Sequence, residues 1–463
     1  MTLSTASLQC QQGPHPLRAL VETILFGIET LEAVHSSHGI PYPSLDDPNQ
    51  SMTALDGDEA VENATQLIVT AAAQLIATAR KPIDTVQNYA LGMYLTTSLG
   101  FAVEANVADI LKGAGPQGLH TKEISAINGV DAVGMTRVLR HLAAHHVFKE
   151  VTPNVFANNQ VSSLLAKVKS LEEIQADPSS QFEGAGRVAW IAHAADVSLK
   201  SSTALSTFVI DPKGNNAPFN IAMNETCTVW EWFKRPENSM RRTRFTEAMN
   251  GAAAHYPPEL YINAVDWSGL ENNDVVVDIG GGVGNVTWIL AQSFPHLHYI
   301  VQDMEKVIPE SKKFWSATSP EHISTGRIQI QAYDFFTPQP VKAAAVYFMR
   351  YIVHDWPDAL VLKILKNIRD AAGPSSKLVL FDIVLPNACR TKISTGSTQK
   401  SASVEILPLG IQWATSLDMQ MLNLFNAQER TLEEFIALGR AANWEFENLK
   451  PAKPLSAIVF SAA

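Results

Sequence analysis

Two stretches of this chain place reactive side-chain types where a turn would expose them. In Tyr347-Phe-Met-Arg350-Tyr-Ile-Val-His354-Asp355-Trp356-Pro an apolar run carries into a turn holding Arg350 and His354. A histidine at a strand end suits a general base, because its unperturbed pKa of about 6.5 lies near neutrality. The competing role is a histidine that caps or packs a loop. The second stretch, Val275-Val-Val-Asp278-Ile-Gly280-Gly-Gly282-Val-Gly284, is an apolar run that meets an acid and breaks into glycines. Such a strand ends in backbone able to pass close under a ligand, and Asn285-Val-Thr-Trp-Ile-Leu-Ala reads as the helix that follows. A dinucleotide loop needs its third glycine one place later, where Asn285 stands. The shifted spacing, with Asp278 just before it, fits S-adenosylmethionine (SAM) better than NAD.

Downstream acids extend that reading. Nineteen residues after Gly284, the run Tyr299-Ile-Val-Gln ends at Asp303, with Met304 next. An acid there can accept both ribose hydroxyls of an adenosine; the alternative is a helix N-cap. A third run reaches Gln331-Ala-Tyr-Asp334-Phe335-Phe336. A carboxylate beside aromatics suits an adenine amino group and its ring, although Phe335 also suits a core.

These residues need elements to hold them. From Asp274 onward, strand-like runs at 275–279, 298–302, 327–331, 344–349, 377–383 and 457–461 alternate with helical segments such as 286–293 and 358–371. The pattern predicts an α/β fold with a doubly wound sheet, whose ligands sit at the carboxyl ends of the strands. Residues 176–265 read as mostly helical, ending in Met240–Ala254. Upstream, Thr121-Lys-Glu-Ile-Ser-Ala-Ile, then Asp131-Ala-Val-Gly-Met-Thr-Arg-Val-Leu-Arg-His-Leu, then a hairpin around Pro153-Asn154, give helix, helix and two-stranded wing. A winged helix suggests DNA binding, yet its second helix offers only Arg137 and Arg140, so a packing and dimerisation module is expected. Residues 16–36 and 53–80 carry helical apolar stripes joined by a linker, Gly39–Gln50, with three prolines. Such helices need a partner surface. Residues 390–403 are polar and low in complexity and read as a mobile loop.

Composition narrows the function class. The 463 residues are 46% apolar and 17% charged, with 35 Lys plus Arg against 46 Asp plus Glu and a net charge of −11. That is a globular composition with no electrostatic footprint for nucleic acid. The three cysteines, Cys10, Cys227 and Cys389, form no C-x-x-C pair, so neither a disulfide framework nor a zinc site is indicated. The start of the chain lacks a secretory pattern, and no run approaches the roughly 18 apolar residues of a membrane span. A cytoplasmic enzyme is expected.

With these motifs in order, the chain from about residue 95 onward resembles the plant-type small-molecule O-methyltransferases, in the branch found in fungal secondary metabolism. The resemblance implies a Rossmann-like SAM domain behind a winged-helix dimerisation domain, working as a homodimer. It divides the chain into a helical region 1–94, a winged-helix domain 95–175, a helical connector 176–265 and a catalytic domain 266–463. It places the family's catalytic histidine on His354. It places two flanking acids on Asp382, in Phe-Asp382-Ile-Val-Leu-Pro, and on Glu429, before Arg430-Thr431. Glu429 has a competing role as helix N-terminal charge, because Thr431-x-x-Glu434 reads as a capping box. Phe245 and Met249 align with residues near the transferred methyl, and Trp413, Met419 and Met421 are expected to line the acceptor site. SAM contacts fall on Asp278, Gly280, Gly282, Gly284, Asp303, Met304, Asp334, Phe335 and Arg350.

The implied reaction is methyl transfer to a hydroxyl, expected to be a phenol of a small metabolite such as an aromatic polyketide. Moving a proton from a phenol of pKa about 10 to a free histidine costs roughly 4–5 kcal/mol, which a carboxylate on the far imidazole nitrogen can reduce. No metal is expected. A second class on the same scaffold keeps SAM as an electrostatic element for pericyclic or dehydration chemistry; the His354, Asp382 and Glu429 set argues against it. A metabolite-sensing DNA-binding regulator is more remote.

Overall fold

The structure, a computed structural model, describes residues 16–49, 53–212, 216–253, 256–394, 403–451 and 455–463. Cys10 and the chain start, where no secretory pattern is read, lie outside the described residues, as does most of the polar segment 390–403. The chain divides into two compact units, residues 1–171 with 387–411, and residues 172–386 with 412–463.

In the first unit the two apolar stripes become helices Pro16–His38 and Glu59–Ala79. They pack so closely that a Cβ on Gly27 would stand 2.6 Å from Ile68 Cγ1. Asp58 caps the second helix by accepting from the N–H groups of Ala60 and Val61. Their shared core of Leu20, Leu67 and Ala71 is completed by Ile406. At the two ends of the polar segment 390–403, strands Thr391–Ser394 and Ser403–Ile406 pair antiparallel; the residues between them lie outside the described ones, and so does the expectation of a mobile loop there. The apolar Val404 and Ile406, just after that polar segment, hold the second strand against the helices. Helices Thr121–Asn128 and Ala132–Ala144 and the strands Phe148–Thr152 and Val155–Asn158 form the winged helix. A third short strand, Leu119–His120, pairs with the wing. Helix Pro82–Ala90 buries none of its residues. It leaves Ile83, Val86 and Tyr89 between 60% and 73% exposed.

In the second unit a seven-stranded sheet has the order 444–451, 456–462, 377–382, 346–350, 275–279, 298–303, 328–332. The five strands from 377–382 to 328–332 are parallel, and 456–462 runs antiparallel to both its neighbours. Alternate residues feed two cores, one holding Val276, Phe348, Val379 and Phe381, the other Val277, Ile279, Tyr347, Met349, Leu378 and Leu380. Burial on both faces explains why these strands are continuous apolar runs. The edge strand Trp444–Pro451 escaped the sequence reading because its outer positions are charged or polar. Chain order reverses between 275–279 and 346–350, and the crevice at such a switch point is where ligands bind. The glycine loop and the turn after Arg350 both leave the sheet there. No helix among the described residues is long and apolar enough to cross a membrane.

Candidate active site

Gly280, Gly282 and Gly284 all have positive φ, of 73°, 60° and 94°. A Cβ on Gly284 would lie 2.8 Å from Trp315 Nε1, so that glycine is required by packing, whereas a Cβ on Gly282 would meet nothing within 4 Å. Gly282 faces open space, as backbone beside a ligand must. Its N–H donates to Asp303 Oδ2 at 2.8 Å, while Oδ1 accepts from the Met304 N–H at 2.7 Å. Asp303 is thus locked to the loop, and each oxygen keeps acceptor capacity for ribose hydroxyls. Burial raises its pKa against these hydrogen bonds.

Asp278 is buried and accepts from Thr287 Oγ1 at 2.7 Å, tying the strand end to the following helix. Burial pushes its carboxyl up to about 7, although Thr287 and Arg350 pull it down. Arg350 stands at the end of its strand, its guanidinium 5.7 Å above the Tyr351 ring. Phe335 lies beside the loop, with Cε1 3.9 Å from a Cβ on Gly280, and its ring meets those of Phe336 and Trp356 edge-on. It therefore packs on the core beside the glycine loop. Asp334 is exposed in the next turn, where Oδ1 accepts from the Phe336 N–H at 3.0 Å. Met304 is half-exposed.

The turn Val353–Asp355 carries His354. Tyr351, just before it, has φ 54°, rare for a bulky residue and typical of functional turns. Its hydroxyl pairs with that of Tyr256, and its ring lies 4.9 Å from His354. Arg430, fully buried, fixes the turn from behind, donating to Val353 O and Trp356 O at 2.8 Å each and to Asp358 Oδ1 at 2.7 Å. The Leu385 N–H in turn donates to Arg430 O at 2.8 Å, laying residues 428–430 beside the end of strand Lys377–Asp382. Three distant segments thereby bring His354, Asp382 and Glu429 together, with candidate donor atoms all within 4.8 Å of one another.

Within that trio the roles divide. Glu429 Oε1 lies 2.9 Å from His354 Nδ1, and the Glu429 N–H donates to Asp418 Oδ1 at 2.9 Å. The helix after it is capped by Thr431 and Glu434, so Glu429 is not the capping charge. Asp382 is fully buried, and neither of its oxygens has a hydrogen-bond partner among the described residues. It flanks the histidine without orienting it. Burial, with Glu429 adding to it, pushes the Asp382 carboxyl up to about 8 against the pull of His354. Asp355, not singled out in the sequence although adjacent, stands 3.6 Å from His354 Nε2. Burial alone would lower the His354 pKa, but Asp355, Glu429 and Asp382 together raise it to about 9. No such cluster is visible in sequence spacing. A metal on this trio would compete with the His354–Glu429 hydrogen bond for the same two atoms.

Of the acceptor-site candidates, Phe245 packs among Trp230, Phe233 and His193. Met249 is half-exposed one turn further along helix Ser239–Ala253. On helix Ile411–Phe425, Met421 is buried while Trp413 and Met419 are exposed, so the structure does not gather the three on one surface.

A nucleotide loop at a sheet switch point, with a histidine–carboxylate pair at the adjacent strand end, defines a cofactor-dependent transferase. The chain matches the O-methyltransferase domain over residues 204–445 and the O-methyltransferase dimerisation domain over residues 87–168. It is 34% identical over 452 residues to an O-methyltransferase of Armillaria gallica, covering 94% of this chain and 96% of that one. It is 33% identical to the 4-O-methyltransferase 1 of Phanerochaete chrysosporium, covering 93% and 95%. A solved structure described as a pericyclic reaction enzyme matches with TM-score 0.66 at 21% identity, over 94% of this chain and all of that one, a likeness of fold. The chain belongs to the O-methyltransferase family and is a SAM-dependent O-methyltransferase.

Proposed function

We propose that the enzyme methylates a phenolic hydroxyl of a small secondary metabolite such as an aromatic polyketide, with His354 as general base. The observation that carries this reading is the Glu429–His354 hydrogen bond, which leaves the other ring nitrogen to face an acceptor. His354 Nε2 takes the hydroxyl proton, and Glu429 on Nδ1 stabilises the imidazolium that results. Asp355 adds negative charge around the same ring, and Asp382 adds it only as the pH rises toward about 8. SAM, when bound, supplies an electrophilic methyl on a sulfonium; Asp278, the glycines 280, 282 and 284, Asp303, Met304, Asp334, Phe335 and Arg350 would hold it. The open face of Gly282 and the anchored Asp303 fit such a ligand. Phe245 and Met249, with Met421 and Trp413, are assigned to the acceptor side, where apolar walls exclude water.

The test is His354→Ala assayed for S-adenosylhomocysteine release. Turnover falls by roughly 10²–10⁴-fold with SAM affinity retained; undiminished turnover rejects the base. Release of S-adenosylhomocysteine in step with product also separates methyl transfer from chemistry that keeps the cofactor intact. Relatives called O-methyltransferases match over nearly their full length, which favours transfer.

The winged-helix domain and the helices before it are proposed to form a homodimer, with the exposed Ile83, Val86 and Tyr89 in the interface. Light scattering at micromolar concentration should give twice the chain mass; a monomer overturns this. Cysteines without paired spacing suit a cytoplasmic location.

A further inference from the structure

Away from the reacting trio, the second unit buries a histidine that the mechanism does not use. His193 ends helix Gly186–His193, is 1% exposed, and has no hydrogen-bond partner on either ring nitrogen among the described residues. A neutral imidazole carries one donor and one acceptor, and burying both unmade is unfavourable unless something else satisfies them. Its surroundings are built to hold it. Helices Gly186–His193 and Ser239–Ala253 touch backbone to backbone, since a Cβ on Gly186 would lie 2.4 Å from Gly251 Cα. That contact presses His193 against Phe245, with ring centroids 5.2 Å apart. Immediately after His193 the helix widens into a π-helical turn, Ala194–Ser198, a feature often found at functional sites.

Two more buried polar atoms without partners belong to the same packing group: Arg244 Nε, one residue before Phe245, and Asn423 Oδ1, whose amide nitrogen donates to Ser198 O at 2.7 Å. The charges nearby are fixed. Asp196 accepts from Arg241 at 2.8 Å, Arg244 at 2.6 Å and Lys200 at 2.5 Å, so three cations share one carboxylate. Burial and the Arg244 charge hold the His193 pKa down to about 3, against the pull of Asp196, so the ring stays neutral.

We propose that His193 is a specificity-determining residue of the acceptor site, hydrogen-bonding a second oxygen, hydroxyl or carbonyl, on the aromatic acceptor whose first hydroxyl is methylated. This rests on the assignment of Phe245 to the acceptor side. The surplus of positive charge favours an electron-rich oxygen, and the neutral ring can both donate to it and accept from it.

The test compares mono- and dihydroxynaphthalenes as acceptors for the wild-type enzyme, His193→Leu and His193→Asn, with SAM affinity and melting temperature followed in each. Dihydroxy acceptors should be preferred by the wild type. His193→Leu should reduce their kcat/KM roughly tenfold or more relative to the monohydroxy set, mainly through KM, and His193→Asn should restore part of it. A uniform loss on both sets, an unaltered preference, or a wild type indifferent to the second oxygen in turnover and binding overturns the proposal. Failure of His354 as base leaves this ratio untouched, so the two readings fail separately.

Discussion

Glu429 Oε1 and His354 Nδ1, 75 residues apart in the chain, stand 2.9 Å apart in the fold, while His354 Nε2 is 3.6 Å from the nearest Asp355 oxygen. The first distance is a charge-assisted hydrogen bond; the second lies beyond hydrogen-bond reach. The pair therefore fixes which nitrogen is engaged and which is open to a substrate proton. It also makes the ring more basic, adding to the larger pull of the Asp355 charge.

That basicity has a pH signature. His354 must be neutral to accept a proton, so kcat/KM should climb from neutrality toward pH about 9, where the raised pKa places its midpoint. In Glu429→Gln the raising hydrogen bond and charge are lost, the His354 pKa falls, and the rising limb moves to lower pH. Plateau activity should drop roughly a hundredfold, because the imidazolium is no longer stabilised. A pH profile of kcat/KM for both proteins checks this; a limb that stays in place removes Glu429 from the proton-transfer unit.

How much of this was legible beforehand depended on how far apart the partners lie. The parallel strands were readable because strands buried on both faces are continuous apolar runs, and Gly280, Gly282 and Gly284 because glycine adopts positive φ without the strain other residues carry. Asp303 followed from its place at the next strand end. Glu429 and Asp382 carry no local mark; family resemblance supplied them, and the Arg430 scaffold that brings them to His354 was not foreseen. Asp355 stood in plain view beside His354, but nothing in its spacing distinguishes a carboxylate near the ring from a solvated one. The hairpin at 391–394 and 403–406 was hidden because its stabilising contact, Ile406 on Leu20 and Leu67, joins residues more than 300 positions apart.

Asp382 should reveal itself in stability. Its folded-state pKa is raised to about 8, so the folded protein holds a proton that the unfolded chain releases near pH 4. The sign is that of a cost that grows with pH: stability relative to a neutral side chain falls between about pH 4 and pH 8, then levels off. Asp382→Asn removes that dependence. Its melting temperature should lie closest to the wild type's near pH 4 and exceed it by roughly 3 °C or more near pH 8.5. Its turnover should suffer less than that of His354→Ala, since Asp382 makes no hydrogen bond to the ring. A melting difference that does not change with pH would show that Asp382 is not a buried, unpaired acid.

Gly282 and Gly284 separate ligand contact from packing. Both have positive φ, so alanine at either position carries backbone strain of about 1–2 kcal/mol. At Gly282 that is the whole structural cost, because the added methyl meets nothing within 4 Å. At Gly284 the methyl also runs into Trp315 Nε1 at 2.8 Å and Val301 at 3.1 Å, both in the buried core, so the loss of stability must be larger. SAM affinity should order the other way for the amount of folding free energy lost. Gly282→Ala occupies the open face of the loop and should weaken SAM binding at least tenfold while melting only slightly below the wild type. Gly284→Ala should melt well below it. Calorimetric titration with SAM beside thermal unfolding reads both quantities, and a Gly282→Ala enzyme that binds SAM like the wild type would move the cofactor away from this face of the loop.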